Sequence, residues 1–456
     1  MSTSAPLDSP EYFRDPYPTL AALRRRGPVQ RVRTGPFGDT WAVTGWSEAR
    51  AAFADPRLSK DTTRYFADKP RTRDLAPAVS ATMLATDPPD HTRLRRLAMK
   101  AFTPAAVARL EPRIAALADR LIQTMADRGT ADLIEDFAVP LPIDVIGELL
   151  GVPPEDRATL RRLSNALFAT GDKAAVDAAS HAISDYMTAL IATKRAALST
   201  EEGPADAPDL LTALITVRDE NGNGNAADGN ADGRAATNGN ADGNAPTNGH
   251  ALTHEEPETG EANGRTTPAP PPHRLSEPEL VSLAVLLVVA GHETTTNLIG
   301  NGMLALLQDD ALRARVRENP ELLPSVIEEL LRYDAPLTTA TFRYATTPLT
   351  LGGVDIKAGD VVLVLPGAAN RDPSRFPDPD VLQLDRPTSH LSFGHGIHHC
   401  LGAPLARLEA RIAFQALLTR FPGLRLACPA DELPWRHTRL VRGLAHLPVT
   451  WTRPAH

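Results

Sequence analysis

The sequence predicts a mainly α-helical protein with a minor β-sheet, and three observations carry that expectation. From Pro89 to about Arg218, apolar residues recur at three- and four-residue spacing in "HTRLRRLAMKAF", "AVARLEPRIAALADRLIQTMADRG", "PIDVIGELLGV" and "HAISDYMTALIATKRAALS". That period lines one face of a helix. The strongest apolar run, "LVSLAVLLVVAG" from Leu280 to Gly291, follows "LSEPE", in which Ser276 is an N-cap ahead of acidic residues in the first turn. Strand-like patterns are confined to short runs, and the strand–helix alternation of a doubly wound fold is absent.

In chain order, "VQRVRTG" and "TWAVTG" read as two short strands and "WSEARAAFADP" as a helix, because β-branched and aromatic residues give way to an alanine-rich pattern. The helical middle follows. Residues 221–273 then turn to "NGNGNAADGNADGRAATNGNADGNAPTNGH" and an acidic, Pro-rich tail. This stretch lacks the apolar surface to offset its ordering entropy, which predicts a disordered, low-complexity insertion. Its Asp-Gly repeats lack the acidic density and closing Glu of a calcium loop. Helices resume at Ser276 and again in "NPELLPSVIEELLRYDAP"; "TLGGVDIKAGDVVLVLPG" alternates like a hairpin, and "PLARLEARIAFQALLTRF" is the last helix.

Composition narrows the function. Length alone allows about three domains. With 42% hydrophobic residues, 23% charged residues and a net charge of −8, the chain has an ordinary globular balance and no excess of basic residues for nucleic acid. Its two cysteines, Cys400 and Cys428, are too few for a disulfide framework and suit a reducing compartment, so a cytoplasmic location is expected. "MSTSAPLDSPEYFRDPYP" has neither the apolar core nor the basic leader of a signal peptide or anchor. The Leu280–Gly291 run falls short of the roughly 20 residues of a membrane span.

The chemistry concentrates in "FGHGIHHCLG", Phe393 to Gly402. His395, His398, His399 and Cys400 suggest zinc by residue type, but a closed zinc site draws on spaced ligand pairs. Here the neighbouring side chains diverge, and Cys428 has no His or Cys beside it. A haem iron taking a single thiolate fits one cysteine, with Gly394, Gly396 and Gly402 letting backbone approach the macrocycle. A helix from about Leu401 would place Cys400 at its N-terminus, where the dipole favours thiolate. A Gly-rich loop around a buried free cysteine is the plainer alternative. On Phe393, Gly396, Cys400 and Gly402, the sequence resembles the cytochrome P-450 family of haem-thiolate monooxygenases, over essentially all of the chain outside the insertion.

The resemblance implies one cytochrome P-450 catalytic domain over residues 1–456, with the 221–273 insertion preceding the oxygen-binding helix. It implies haem b (iron protoporphyrin IX) with Cys400 as axial ligand, framed by Phe393 and Gly402. In "AGHETTT", Glu293 and Thr294 match the acid and alcohol that deliver protons to bound oxygen, while Ala290 and Gly291 leave room for O2. Read alone, the same residues are a Thr bonding back four residues and a Glu reaching solvent at a kink. Glu329 and Arg332 of "EELLR" form an i, i+3 pair, which on an exposed helix contributes only about 0.2–0.5 kcal/mol. The resemblance places them with Arg386 in a structural ion cluster. His91 and Arg95 of "DPPDHTRLRRL" lie four apart on one helix face, a solvated basic face on its own. The resemblance aims both at a haem propionate, with Arg343 and His398 as further partners, and leaves His395 and His399 without a role.

Positions matching the family's substrate pocket are Met83, Leu84, Phe168, Val289, Leu337 (to Thr341) and Leu444. The implied reaction is hydroxylation or epoxidation, with O2, of a small, mostly apolar secondary metabolite such as a polyketide or terpenoid. No flavin or dinucleotide motif is visible, so ferredoxin and ferredoxin reductase are expected to supply NAD(P)H electrons, docking on Arg96, Arg109, Arg407 and Arg411. The alternatives are oxidative coupling or peroxygenase chemistry, a non-catalytic haem carrier or sensor, and a zinc protein.

Overall fold

The computed structural model describes residues 7, 9–35, 37–69, 73–99, 102–168, 172–198, 209–223, 274–386, 389–421, 423–438 and 440–452. Ten strands are β1 (Val29–Thr34), β2 (Gly38–Val43), β3 (Leu58–Ser59), β4 (Thr130–Asp132), β5 (Arg343–Ala345), β6 (Leu349–Leu351), β7 (Val354–Ile356), β8 (Val361–Val364), β9 (Arg425–Leu426) and β10 (Pro448–Thr450). They form a five-stranded sheet in the order β1-β2-β8-β5-β3, a three-stranded sheet β4-β10-β9, and the β6-β7 hairpin. Only part of the expected Thr350–Gly367 hairpin is one. β8 leaves it to pair parallel with β2 and antiparallel with β5. All four β8 residues are buried, as suits a continuous apolar run covered on both faces.

The helices that position the site are α1 (Trp46–Ala54), α2 (Asp90–Met99), α3 (Glu111–Ala126), α4 (Pro140–Leu150), α5 (Pro154–Leu167), α6 (Lys173–Leu198), α7 (Glu277–Gly291), α8 (Glu293–Leu307), α9 (Leu323–Tyr333) and α10 (Ala403–Arg420). Ser276 caps α7 as expected: its Oγ accepts from Glu279 N at 3.4 Å, and Glu279 Oε2 accepts from Ser276 N at 2.8 Å. The apolar helix expected as one rod is two, broken at His292. Together Glu277–Leu307 is long and apolar enough to cross a membrane, more than the Leu280–Gly291 run alone implied, but most of its apolar stretch is buried inside the protein. Apolar on nearly all sides, it is the core helix of this fold. The helix Leu210–Asn223 runs three residues into the expected insertion; residues 224–273 of it lie outside the described residues.

The largest helical core joins α8, α9 and α10 to α3 through residues such as Ile122, Met303, Leu330 and Phe414. Glu409 of α10 is 2% exposed in this setting, and its Oε2 has no hydrogen-bond partner. Burial pushes its carboxyl up to about 8. A folded value above the unfolded one means that the native state holds the extra proton. Stability is therefore full below about pH 4.5 and falls as pH rises toward 8, at up to about 1.4 kcal/mol per pH unit. Glu409→Gln is expected to flatten that slope, so that in denaturant titrations the variant exceeds the wild type at pH 8.5 and not at pH 5.

Candidate active site

The Cys400 loop is built by turns. Gly394 and Gly396 hold φ of 72° and 73°, the left-handed region that favours glycine, and Cys400 N donates to Phe393 O at 2.8 Å. A Cβ on Gly396 would meet Phe53 O at 2.9 Å, so that glycine serves the approach of the loop to α1 rather than clearance for a ring. Gly402, at φ −82°, faces open space. The helix starts at Ala403, two residues later than expected. Cys400 is open at its surface although protein surrounds it, as in a recess. Burial pushes its thiol up; the backbone N–H groups of Gly402 and Ala403 and the charges of Arg95 and Arg407 pull it down. That donor set prepares the sulfur for negative charge.

On the α7–α8 side, Ala290 is exposed within an otherwise apolar helix, and Val289 and Thr294 are half-buried. Gly291 does not open this space: a Cβ there would meet Ile146 Cδ1 of α4 at 3.3 Å, so its smallness serves helix packing. Thr294 Oγ1 donates to Ala290 O at 3.0 Å, the back-bond that the residue type alone suggests. Glu293 is buried instead of reaching solvent. Its carboxylate pairs with Arg436 and accepts from Asn297 Nδ2 at 3.4 Å.

A basin of cations forms a third wall. His91 of α2 is 1% exposed with both ring nitrogens unpartnered, and its ring lies 4.2 Å, centroid to centroid, from that of His398. Arg343 is buried over the Phe53 ring. Burial and its cationic neighbours Lys60, His91, Arg343 and Arg95 push the His398 imidazole down; burial pushes Arg343 down to about 10. Lys60, which sequence reasoning missed, is 4% exposed, donates through Nζ to Thr341 Oγ1, and is pushed well down by burial and Arg343. Asp87 is the acid of this basin, and it is already engaged by Ser59 Oγ and by Lys60 N. Buried positive charge with so little counter-charge is costly unless an anion joins it. Only burial reveals Lys60; "RLSKD" carries no periodic or motif signal. Arg95 bears on both His91 and His398 by its charge and also donates to His399 O at 2.6 Å on the thiolate side.

Glu329 and Arg332 are 1% and 0% exposed and form a bidentate pair at 2.7 and 2.8 Å, with Arg386 Nε 3.4 Å from Glu329 Oε1. The surface pair that spacing alone suggests is thus a buried cluster. Among the expected pocket residues, Met83 and Val289 pack on one apolar cluster with Leu401, the residue after Cys400. Leu84, Phe168 and Leu337 are half-buried. Leu444 is 1% exposed inside the helical core, which leaves it no surface to offer a ligand. Of the expected docking arginines, Arg407 is held by Glu328 and Arg411 by Glu111, while Arg96 and Arg109 are exposed. Among the described residues, no three His, Cys, Asp or Glu side chains converge as metal ligands.

A lone prepared sulfur, a cationic basin short of acids and a broken apolar helix define the site class of a haem-thiolate oxidoreductase. The chain belongs to the cytochrome P450 family and is a monooxygenase. A family model described as Cytochrome P450 matches residues 263–435. The chain is 42% identical to cytochrome P450 monooxygenase PikC of Streptomyces venezuelae, over 97% of this chain and 92% of that one. It is 37% identical to 6-deoxyerythronolide B hydroxylase of Saccharopolyspora erythraea, over 98% and 99%. The tirandamycin C-bound P450 monooxygenase TamI superposes with a TM-score of 0.79 at 39% identity, covering 97% of this chain and 99% of that one. Members of this family carry a haem, draw electrons from redox partners and use O2 on small substrates.

Proposed function

We propose that this chain, as a single catalytic domain, inserts one oxygen atom of O2 into a mostly apolar secondary metabolite of polyketide type, by hydroxylation or epoxidation. The observation that carries it is the recessed Cys400 sulfur, faced by backbone N–H groups and two arginines. The residues fit haem b: Cys400 would hold its iron, and Lys60, His91, Arg95, Arg343 and His398 would hold the propionates, relieving the charge that now crowds Lys60 and partnering the nitrogens of His91. When bound, the haem would supply dioxygen activation, which electron donation from the Cys400 sulfur would favour.

The protein's own groups move the protons. Arg436, 24% exposed, holds the buried Glu293 carboxylate in place; a guanidinium keeps its protons, so the relay runs through Glu293 itself. The Thr294 hydroxyl turns from Ala290 O to pass one on. Met83, Leu84, Val289, Leu337 and Phe168 hold the substrate, an apolar lining suited to an apolar ligand. The relative named for 6-deoxyerythronolide B and the structure holding tirandamycin C support the substrate class. Ferredoxin and ferredoxin reductase supply NAD(P)H electrons in the cytoplasm, docking where Arg96 and Arg109 are exposed.

Turnover of a macrolide panel with NADPH, ferredoxin and ferredoxin reductase under 18O2 tests the reading. One labelled oxygen in the product is expected. An oxidised product without label would place the chain among coupling enzymes.

A further inference from the structure

At the break between α7 and α8, three backbone carbonyls are taken up by side chains. Val288 O lies 2.9 Å from His292 Nδ1, Ala290 O accepts from Thr294 Oγ1 at 3.0 Å, and Gly291 O accepts from Thr295 Oγ1 at 3.2 Å. Such back-bonds bend helices. His292 differs from the two threonines in reaching outward as well: its Nε2 lies 3.2 Å from Asn165 Oδ1, in the last turn of α5. His292 is 1% exposed, and burial pushes its imidazole below the usual range, so the ring is neutral and carries one N–H. The Val288 carbonyl can only accept, so that proton is on Nδ1. Nε2 then accepts, which requires the Asn165 amide turned end for end so that Nδ2 rather than Oδ1 faces the ring, an assignment that the network and not the atom positions decides. Both ring nitrogens are committed, and the link has a direction.

α5 packs along α6 and on α4, with Leu160 and Ser164 as its buried residues, so a shift of this helix reaches α7 through few contacts, the Asn165–His292 bond among them. It crosses α7 near the break, and Phe168 of the expected substrate lining caps its end.

We propose that the Asn165–His292 hydrogen bond couples the position of α5 to the carbonyl caps at the break, making Asn165 a positioning residue for Thr294. An apolar ligand that displaces α5 draws Asn165 from the imidazole, frees the Val288 cap and loosens the turn that holds Thr294. The consequence for proton delivery rests on the reading of Thr294 above; the coupling does not.

Hydrogen–deuterium exchange on the holoenzyme tests it without substrate or turnover, so its outcome is separate from any test of the chemistry. Asn165→Leu is expected to speed exchange of residues 289–296 about five-fold, and His292→Phe to do the same for residues 160–167, since coupling is reciprocal. The double variant should exceed neither single effect at either place, with residues 403–420 unchanged. Effects confined to the substituted helix, or additive in the double variant, overturn the proposal. If Asn165→Leu does not fold, Asn165→Ala removes every hydrogen-bonding atom of the side chain and carries the same expectation.

Discussion

Cys400→Ser is expected to leave a folded protein that forms no oxygenated product. The side chain is open rather than part of a core, and the turn holding it is made by backbone, through Cys400 N to Phe393 O and the positive φ of Gly394 and Gly396. A serine fits those restraints, so the unfolding midpoint should move by less than about 1 kcal/mol, the range of a change away from core and network. What is lost is the sulfur. Burial pushes the thiol up, and two backbone N–H groups with the charges of Arg95 and Arg407 oppose that, so the sulfur is placed to become a thiolate on binding iron, whereas a hydroxyl there stays protonated and donates little electron density. Circular dichroism beside product analysis separates the two effects. Undiminished product from a folded serine variant would remove Cys400 from the mechanism.

Arg332→Ala is expected to have the largest effect on folding. Arg332 is fully buried; it donates to both Glu329 oxygens and to the carbonyls of Asn370, Pro379 and Val381. Glu329 also accepts from Gln383 N at 2.9 Å, so the pair pins the 370–386 segment to α9. An exposed pair would contribute a few tenths of a kcal/mol. Removing one partner of a buried pair strands the other charge and costs about 3–5 kcal/mol, a large share of the about 5–15 kcal/mol that stabilises a typical domain. Arg332→Lys should recover only part of the loss, because an ammonium cannot match the planar fork that spans two acceptor directions. Denaturant midpoints of the two variants decide it; an Arg332→Ala protein within about 1 kcal/mol of wild type would mean that the pair is as inert as a surface one.

Several parts of the fold and site were legible because they are local. Apolar spacing marked α3, α6 and α10, and "LSEPE" announced the Ser276 cap and its reciprocal Glu279 bond. What remained hidden depends on contacts distant in sequence. Nothing in "EELLR" distinguishes a buried pair from a solvated one until the 370–386 segment closes over it. A kink with a Thr back-bond is one reading of "AGHETTT", and the Thr294 bond to Ala290 O is there; the His292 cap and its partner on α5 depend on a contact distant in sequence. Lys60 reads as a surface lysine, and only the convergence of α2, β5 and the Cys400 loop makes it part of a cationic basin. Gly291 and Gly396 were assigned to ligand clearance, whereas Ile146 and the Phe53 backbone set their size. Leu444 carried the apolar character of a pocket residue and proved to be core.

The central claim is that Cys400 ligates a haem iron as thiolate. Its most direct test is the absorption spectrum of the reduced, carbon monoxide-bound holoprotein. Thiolate ligation predicts a main band moved far to the red. A band at the position typical of imidazole-ligated haem, or a colourless protein with stoichiometric zinc, would contradict it.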